Sequence, residues 1–151
     1  MRSAPRGSFR YDFAVYDGQG RLSALLEAKR RFGTDSSWAR SWHAMAAGGK
    51  EPPADVNVVL VTPDRIYAWR PGAGAAANPD WILDAVSWFE PYFQRLQIPA
   101  AEVDPHVFEA IVGLWLHDVV QGDMPADSDT QRAQGLLEAL RGGEVVSRVA
   151  A

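Results

Sequence analysis

Residues 11–29 read Tyr11-Asp-Phe-Ala-Val-Tyr-Asp-Gly-Gln-Gly-Arg-Leu-Ser-Ala-Leu-Leu-Glu-Ala-Lys29. The stretch 11–16 is rich in β-forming residues and alternates in part, so it reads as a strand. Asp17-Gly-Gln-Gly20 is turn chemistry. With Gly18 and Gln19 as a two-residue loop, glycine at the first central position suits a type II′ turn, and residues 21–29 return as the second strand. Tyr16 then faces Arg21, and Asp12 faces Leu25. Because side chains alternate by two, Asp12 shares a sheet face with Leu25, Glu27 and Lys29 and is a diagonal neighbour of Glu27. Leu22, Ala24 and Leu26 are expected on the opposite face, pointing into a core.

Further along, Gly33-Thr-Asp-Ser-Ser37 is a helix-start signal with Asp35 or Ser36 as N-cap. It predicts a helix over 37–47, closed by Gly48-Gly49. Val56-Asn-Val-Val-Leu-Val-Thr62 is the near-continuous apolar run of a strand buried on both faces. Thr62-Pro-Asp-Arg65 has the proline of a type I turn and leads into a short strand over 66–69. A strand–helix–strand unit crosses over right-handed, which makes 56–62 parallel to 21–29 and the sheet mixed.

Beyond the small-residue seam the pattern turns helical. A helix over 81–96 is expected to break or kink at Pro91. Asp104-Pro105 starts another, whose stripe is Val107, Phe108, Ile111, Val112, Trp115 and Val119. A third is expected around 129–141. The fold class expected is α/β in the mixed α+β sense: a central mixed β-sheet with flanking helices, followed by a C-terminal helical segment. The organisation is a β-hairpin/α/β core over 1–70, a Gly/Ala/Pro linker over 71–79, a helical segment over 80–141 packing on the core, and a tail over 142–151 that frays.

The chain has 151 residues and no cysteine, which excludes a disulfide scaffold, a Cys-ligated zinc site and a thiol nucleophile. No apolar run approaches the ~18 residues of a membrane span. The start lacks the apolar stretch of a signal peptide, so a cytoplasmic location with no membrane partner is expected. Net charge is −4, but unevenly spread. Residues 1–50 carry nine Lys/Arg against four Asp/Glu, a net of +5, and residues 51–151 carry six against fifteen, a net of −9. A basic front of this kind can face an anionic partner. The residues expected to bind nucleic acid are Arg10, Lys29, Arg30, Arg31 and Arg40, with Arg2 and Arg6 on the same arm.

At the hairpin end two carboxylates and an ammonium converge. Carboxylate oxygens suit a hard divalent cation that keeps several waters. The Ala28 carbonyl lies between the two strand residues, and Lys29 is placed to stabilise negative charge on a phosphate. Asp12 followed by Glu27-Ala28-Lys29, a helix and an apolar strand resembles the PD-(D/E)XK nuclease superfamily. The phrases Leu25-Leu-Glu-Ala-Lys29 and Leu60-Val-Thr-Pro-Asp-Arg-Ile-Tyr-Ala-Trp69 are also similar to small bacterial members of that superfamily. The resemblance covers residues 10–69 closely and the helices up to 121 more loosely. It implies a restriction-endonuclease-like fold in which Asp12 and Glu27 bind Mg²⁺ (or Mn²⁺) and Lys29 assists the attacking water. The expected catalytic set is Asp12, Glu27 and Lys29, and the expected metal set is Asp12, Glu27 and Ala28. The function so implied is Mg²⁺-dependent hydrolysis of phosphodiester bonds in nucleic acid. The alternative is a catalytically idle module of the same fold that binds nucleic acid or a protein. A third reading makes the Asp12–Lys29 contact a surface ion pair worth ~0–1 kcal/mol in an assembly module.

The resemblance also implies a helix and a strand ahead of the Asp-bearing strand, and ten residues are too few for both. The strand at 10–16 is then an open edge, and a homodimer joined there, or through the Trp-rich helices, is expected to cover it. Elsewhere the signals are weaker. His106 and His117 are eleven residues apart, about 16 Å along a helix, too far to share an ion. His43 reads as an ordinary helix position. Trp38 and Trp42, at i and i+4, read as core packing ahead of base stacking. Gly72-Ala-Gly74 lacks the strand–turn–helix context of a phosphate loop, and no serine sits on a nucleophile elbow.

Overall fold

The computed structural model describes residues 11–46, 55–123 and 132–147. Among these residues the chain forms a mixed six-stranded sheet with four α-helices, an α+β fold. The strands are β1 (Phe13–Tyr16), β2 (Leu22–Ala28), β3 (Asn57–Val61), β4 (Arg65–Trp69), β5 (Trp81–Asp84) and β6 (Glu144–Ser147), in the order β5-β4-β3-β2-β1-β6. Only β2 and β3 run parallel; every other neighbouring pair is antiparallel. The helices are α1 (Ser36–Ala46), α2 (Val86–Leu96), α3 (Pro105–Gln121) and α4 (Gln134–Leu140), with a 3₁₀ turn at Ala100–Glu102.

The sheet separates two cores. On one face α2, α3 and α4 pack against Phe13, Val15, Ala24, Leu26, Val59 and Val61. On the other, α1 covers Ala14, Leu25, Val58, Leu60, Tyr67 and Trp69. β3 is therefore buried along its whole length, as its unbroken apolar run requires.

The hairpin differs from expectation in its turn. Asp17 N–H bonds to the Arg21 carbonyl at 2.8 Å and Gly20 N–H to the Asp17 carbonyl at 2.9 Å, so the loop has three residues. Gly20, not Gly18, takes the left-handed conformation (φ +77°) that a side chain would resist. The Asp17 carboxylate receives the Gln19 and Arg21 N–H groups. The register is Tyr16 with Leu22, then an irregularity, then Val15 with Ala24 and Phe13 with Leu26. The longer loop and the bulge at Ser23 each slip the pairing by one residue. Their sum is two, which restores the side-chain faces and sets Asp12 directly across from Glu27, not diagonal to it. Leu22 precedes the bulge, so it packs on the α1 face and not with Ala24 and Leu26.

Three further expectations are corrected. Residues 81–84 form a strand, because β4 has an edge to be paired and Trp81–Asp84 pairs with it; the helix begins only at Val86. That helix does not break at Pro91: it runs through this residue, the sixth of its eleven, which is solvent-exposed and lacks the N–H that would bond the Ser87 carbonyl. Of the tail expected to fray, residues 144–147 form a strand instead: Glu144–Ser147 pairs antiparallel with β1, so β1 is an interior strand among the described residues and the open edge that motivated a homodimer is covered.

The helix caps follow the sequence. Asp35 Oδ1 accepts the Trp38 N–H at 2.9 Å, which makes Asp35 the N-cap of α1. Asp104 Oδ1 accepts from Val107 N–H at 2.8 Å, Pro105 opens α3, and Gly122 (φ +82°) closes it. The glycines expected to close α1, at 48 and 49, lie outside the described residues, as does the beginning of the helix expected at 129.

Candidate active site

Just before β1 begins and as β2 reaches its end, the chain places two carboxylates side by side on the α1 face. The Asp12 N–H bonds to Glu27 Oε1 at 3.1 Å, and Asp12 Oδ2 receives the Ala28 N–H at 2.8 Å. Lys29 Nζ lies 3.3 Å from Glu27 Oε2. Asp12 is 3% and Glu27 9% exposed, while the Lys29 side chain is 46% exposed. The pair is thus sheltered, with the Lys29 ammonium at the solvent side. In an extended strand the N–H and C=O of one residue face the same edge, so the Ala28 carbonyl also faces the Asp12 side.

Such crowding has an electrostatic signature. Burial, then the neighbouring Asp12 charge and a hydrogen bond with the Asp12 carboxyl, push the Glu27 carboxyl up to about 7; Lys29 pulls more weakly the other way. Burial and the Glu27 charge push the Tyr11 phenol up to about 12. The Tyr11 ring meets Trp42 edge-on, with centroids 6.1 Å apart. Two adjacent carboxylates that resist joint ionisation are relieved either by a shared proton or by a cation. Their hard oxygens are of the kind that suits a divalent cation. No cluster of three or more His, Asp or Glu suited to a metal occurs among the described residues.

The register carries the site further across the sheet. Glu27 is beside Leu60, and Leu60 beside Tyr67, so Tyr67 stands two strands away, about 10 Å, on the same face. Its hydroxyl is 2.8 Å from Thr34 Oγ1, both side chains buried, and its ring lies 6.3 Å from that of Trp38. Tyr11, Thr34 and Tyr67 were not singled out by sequence. The β-pairing alone could have found Tyr67, since it places the residue in the row that contains Glu27.

Among the described residues, the expected basic side chains are not gathered into one surface. Arg30 reaches away from the site: its Nε and Nη2 donate to the Val103 and Ala101 carbonyls at 2.5 and 2.8 Å. Arg31 lies 5.6 Å above the Trp38 ring and is exposed beside the site. Arg40 is exposed on α1, two residues and about 200° around the helix from Trp38. Arg10 lies outside the described residues. His43 is buried, stacked on Trp69 at 4.2 Å with Nδ1 2.9 Å from the Ala75 carbonyl. His106 and His117 are exposed on α3.

No family of known proteins matches the chain, and no curated protein or solved structure is significantly similar to it.

Proposed function

We propose that the chain is a Mg²⁺-dependent nuclease-like protein of the PD-(D/E)XK type, acting on phosphodiester bonds. The observation that carries the reading is the buried Asp12–Glu27 pair with Lys29 held against it. Asp12 and Glu27 would hold the cation, with the Ala28 carbonyl on the same edge. When bound, Mg²⁺ supplies charge neutralisation at the phosphate oxygens and lowers the pKa of water. Lys29 contributes a positive charge at the mouth of the site, where it can orient an attacking water and stabilise charge developing on the phosphate. The Ala28 N–H fixes the Asp12 carboxylate, and the Asp12 N–H fixes Glu27, so both ligands are preorganised by backbone.

A second reading has its own support. Each carboxylate already accepts a backbone N–H, and Lys29 already neutralises part of the charge. The pair could therefore persist as a structural clasp in an idle module that binds nucleic acid or a protein. The two readings separate on two variants. Glu27→Gln keeps the shape and removes a charge, and is expected to lose the Mg²⁺-induced rise in melting temperature together with cleavage of DNA or RNA. Lys29→Met is expected to keep the Mg²⁺ response and lose at least a hundredfold in turnover. Wild-type protein with neither a Mg²⁺ or Mn²⁺ response nor cleavage would leave the idle-module reading standing.

A further inference from the structure

A groove of about 580 Å³ opens on the opposite side of the sheet from the carboxylate pair. One wall is a stripe along α2: Val86, Glu90, Phe93 and Gln97, spaced by four, three and four residues, as one helix face requires. The other wall includes Phe32, Pro63 and Ile98. The groove follows α2 for its eleven residues, about 16 Å or three helical turns. Two of the large apolar side chains that stand exposed, Val86 at 54% and Phe32 at 40%, meet here. An elongated apolar trough with exposed lips is a surface for a partner rather than a packing fault.

Its charge identifies the partner's chemistry. The lining contains two carboxylates, Asp64 and Glu90, and no cation. Among the described residues neither is in an ion pair: Asp64 receives the Thr62 hydroxyl and Gly33 N–H, and Glu90 receives the Gln94 amide. Arg30, whose guanidinium lies 5.5 Å from the Phe32 ring, is committed to the carbonyls of Ala101 and Val103. All of its lining except Phe32 comes from residues 51–151, which carry six Lys/Arg against fifteen Asp/Glu. Phosphate backbones and acidic segments are repelled by such a surface.

We infer that the groove binds a basic amphipathic helix of a partner protein, about three turns long, laying an apolar stripe along α2 with Lys or Arg side chains at Asp64 and Glu90. This is recognition by helix in groove, with register set by flanking charges. It is independent of the chemistry proposed for Asp12 and Glu27. Phe32 follows Lys29 by three residues, so an occupied groove would also brace the chain segment that leaves the site.

The test is fluorescence anisotropy with the whole chain and three probes. These are a labelled amphipathic peptide of Leu and Lys, the same peptide with every Lys replaced by Glu, and an apolar naphthalene dye. The Leu/Lys peptide is expected to bind, and the Leu/Glu peptide at least tenfold more weakly. Glu90→Lys and Val86→Lys, both at exposed positions on α2, should each weaken Leu/Lys binding at least tenfold. Glu138→Lys, exposed on α4, should change it less than twofold. Equal binding of the two peptides, equal loss on Glu138→Lys, or no peptide binding overturns the inference. So does tight binding of the dye alone, which would make the groove a small-molecule pocket. A dimer in sedimentation velocity that Val86→Lys dissociates would assign the groove to a second copy of the chain and overturn it as well.

Discussion

Glu27 shows how one residue records its surroundings. Its carboxyl titrates near 7 in the folded chain against an ordinary 4.5, chiefly through burial and the Asp12 charge. Between those values the folded chain keeps a proton that the unfolded chain releases. Stability from this group is therefore fully present below about 4.5 and is lost as pH rises through about 7. Each unit of such displacement corresponds to about 1.4 kcal/mol. Thermal melts in EDTA should show stability falling from pH 5 to pH 8, and Glu27→Gln should flatten that fall. A wild-type profile flat over this range would mean that the carboxylates do not crowd each other. Arg30 makes a second prediction at this scale. Its two bonds to carbonyls make it a strut for the segment 101–103, so Arg30→Ala should cost about 2 kcal/mol in urea unfolding and leave nucleic-acid affinity nearly unchanged. Arg31→Ala should instead leave stability alone and reduce the slope of log affinity against log salt by about 1. The reverse pattern would return Arg30 to the proposed nucleic-acid surface.

At the scale of elements, the last strand decides how β1 behaves. β6 joins β1 through Gly143, where an added Cβ would stand 2.5 Å from Val15 Cγ1 and 3.1 Å from the Leu140 and Tyr16 carbonyl oxygens. There is no room for a side chain where α4 turns back onto the sheet. Gly143→Ala should cost about 1–3 kcal/mol through overpacking, read as a lower urea midpoint. Deleting the chain from Glu144 onward should unpair the outer edge of β1 and promote self-association in sedimentation velocity. A truncated chain that stays monomeric and stable would show that β6 does not protect this edge. Gly135, inside α4, differs: an added Cβ would meet Trp81 Cζ2 at 3.4 Å, an ordinary van der Waals contact.

Across the whole molecule the sheet keeps two surfaces apart. The carboxylate pair and Lys29 sit on the α1 side, and the acidic apolar groove lies on the α2 side of the same strand ends. The seam at 71–79 is a connection between neighbouring strands β4 and β5, and it also closes the α1-side core. Trp69 Nε1 donates to the Ala77 carbonyl at 2.9 Å, and His43 reaches the Ala75 carbonyl. No helix among the described residues is long and apolar enough to cross a membrane.

Strand identity over 11–69, the parallel β2–β3 pair and the N-caps of α1 and α3 at Asp35 and Asp104 were legible in the sequence, because they depend on local patterning and short-range capping. The face shared by Asp12 and Glu27 was also legible, since the two unforeseen one-residue slips cancelled in a period of two. What sequence could not reach depends on partners distant in the chain. Trp81–Asp84 became a strand because β4 offered an edge, and Glu144–Ser147 did so because β1 offered another. Arg30 left the basic surface because carbonyls more than seventy residues away claimed its guanidinium. Patterning reports which side of an element is apolar; only the folded chain reports which other element stands against it.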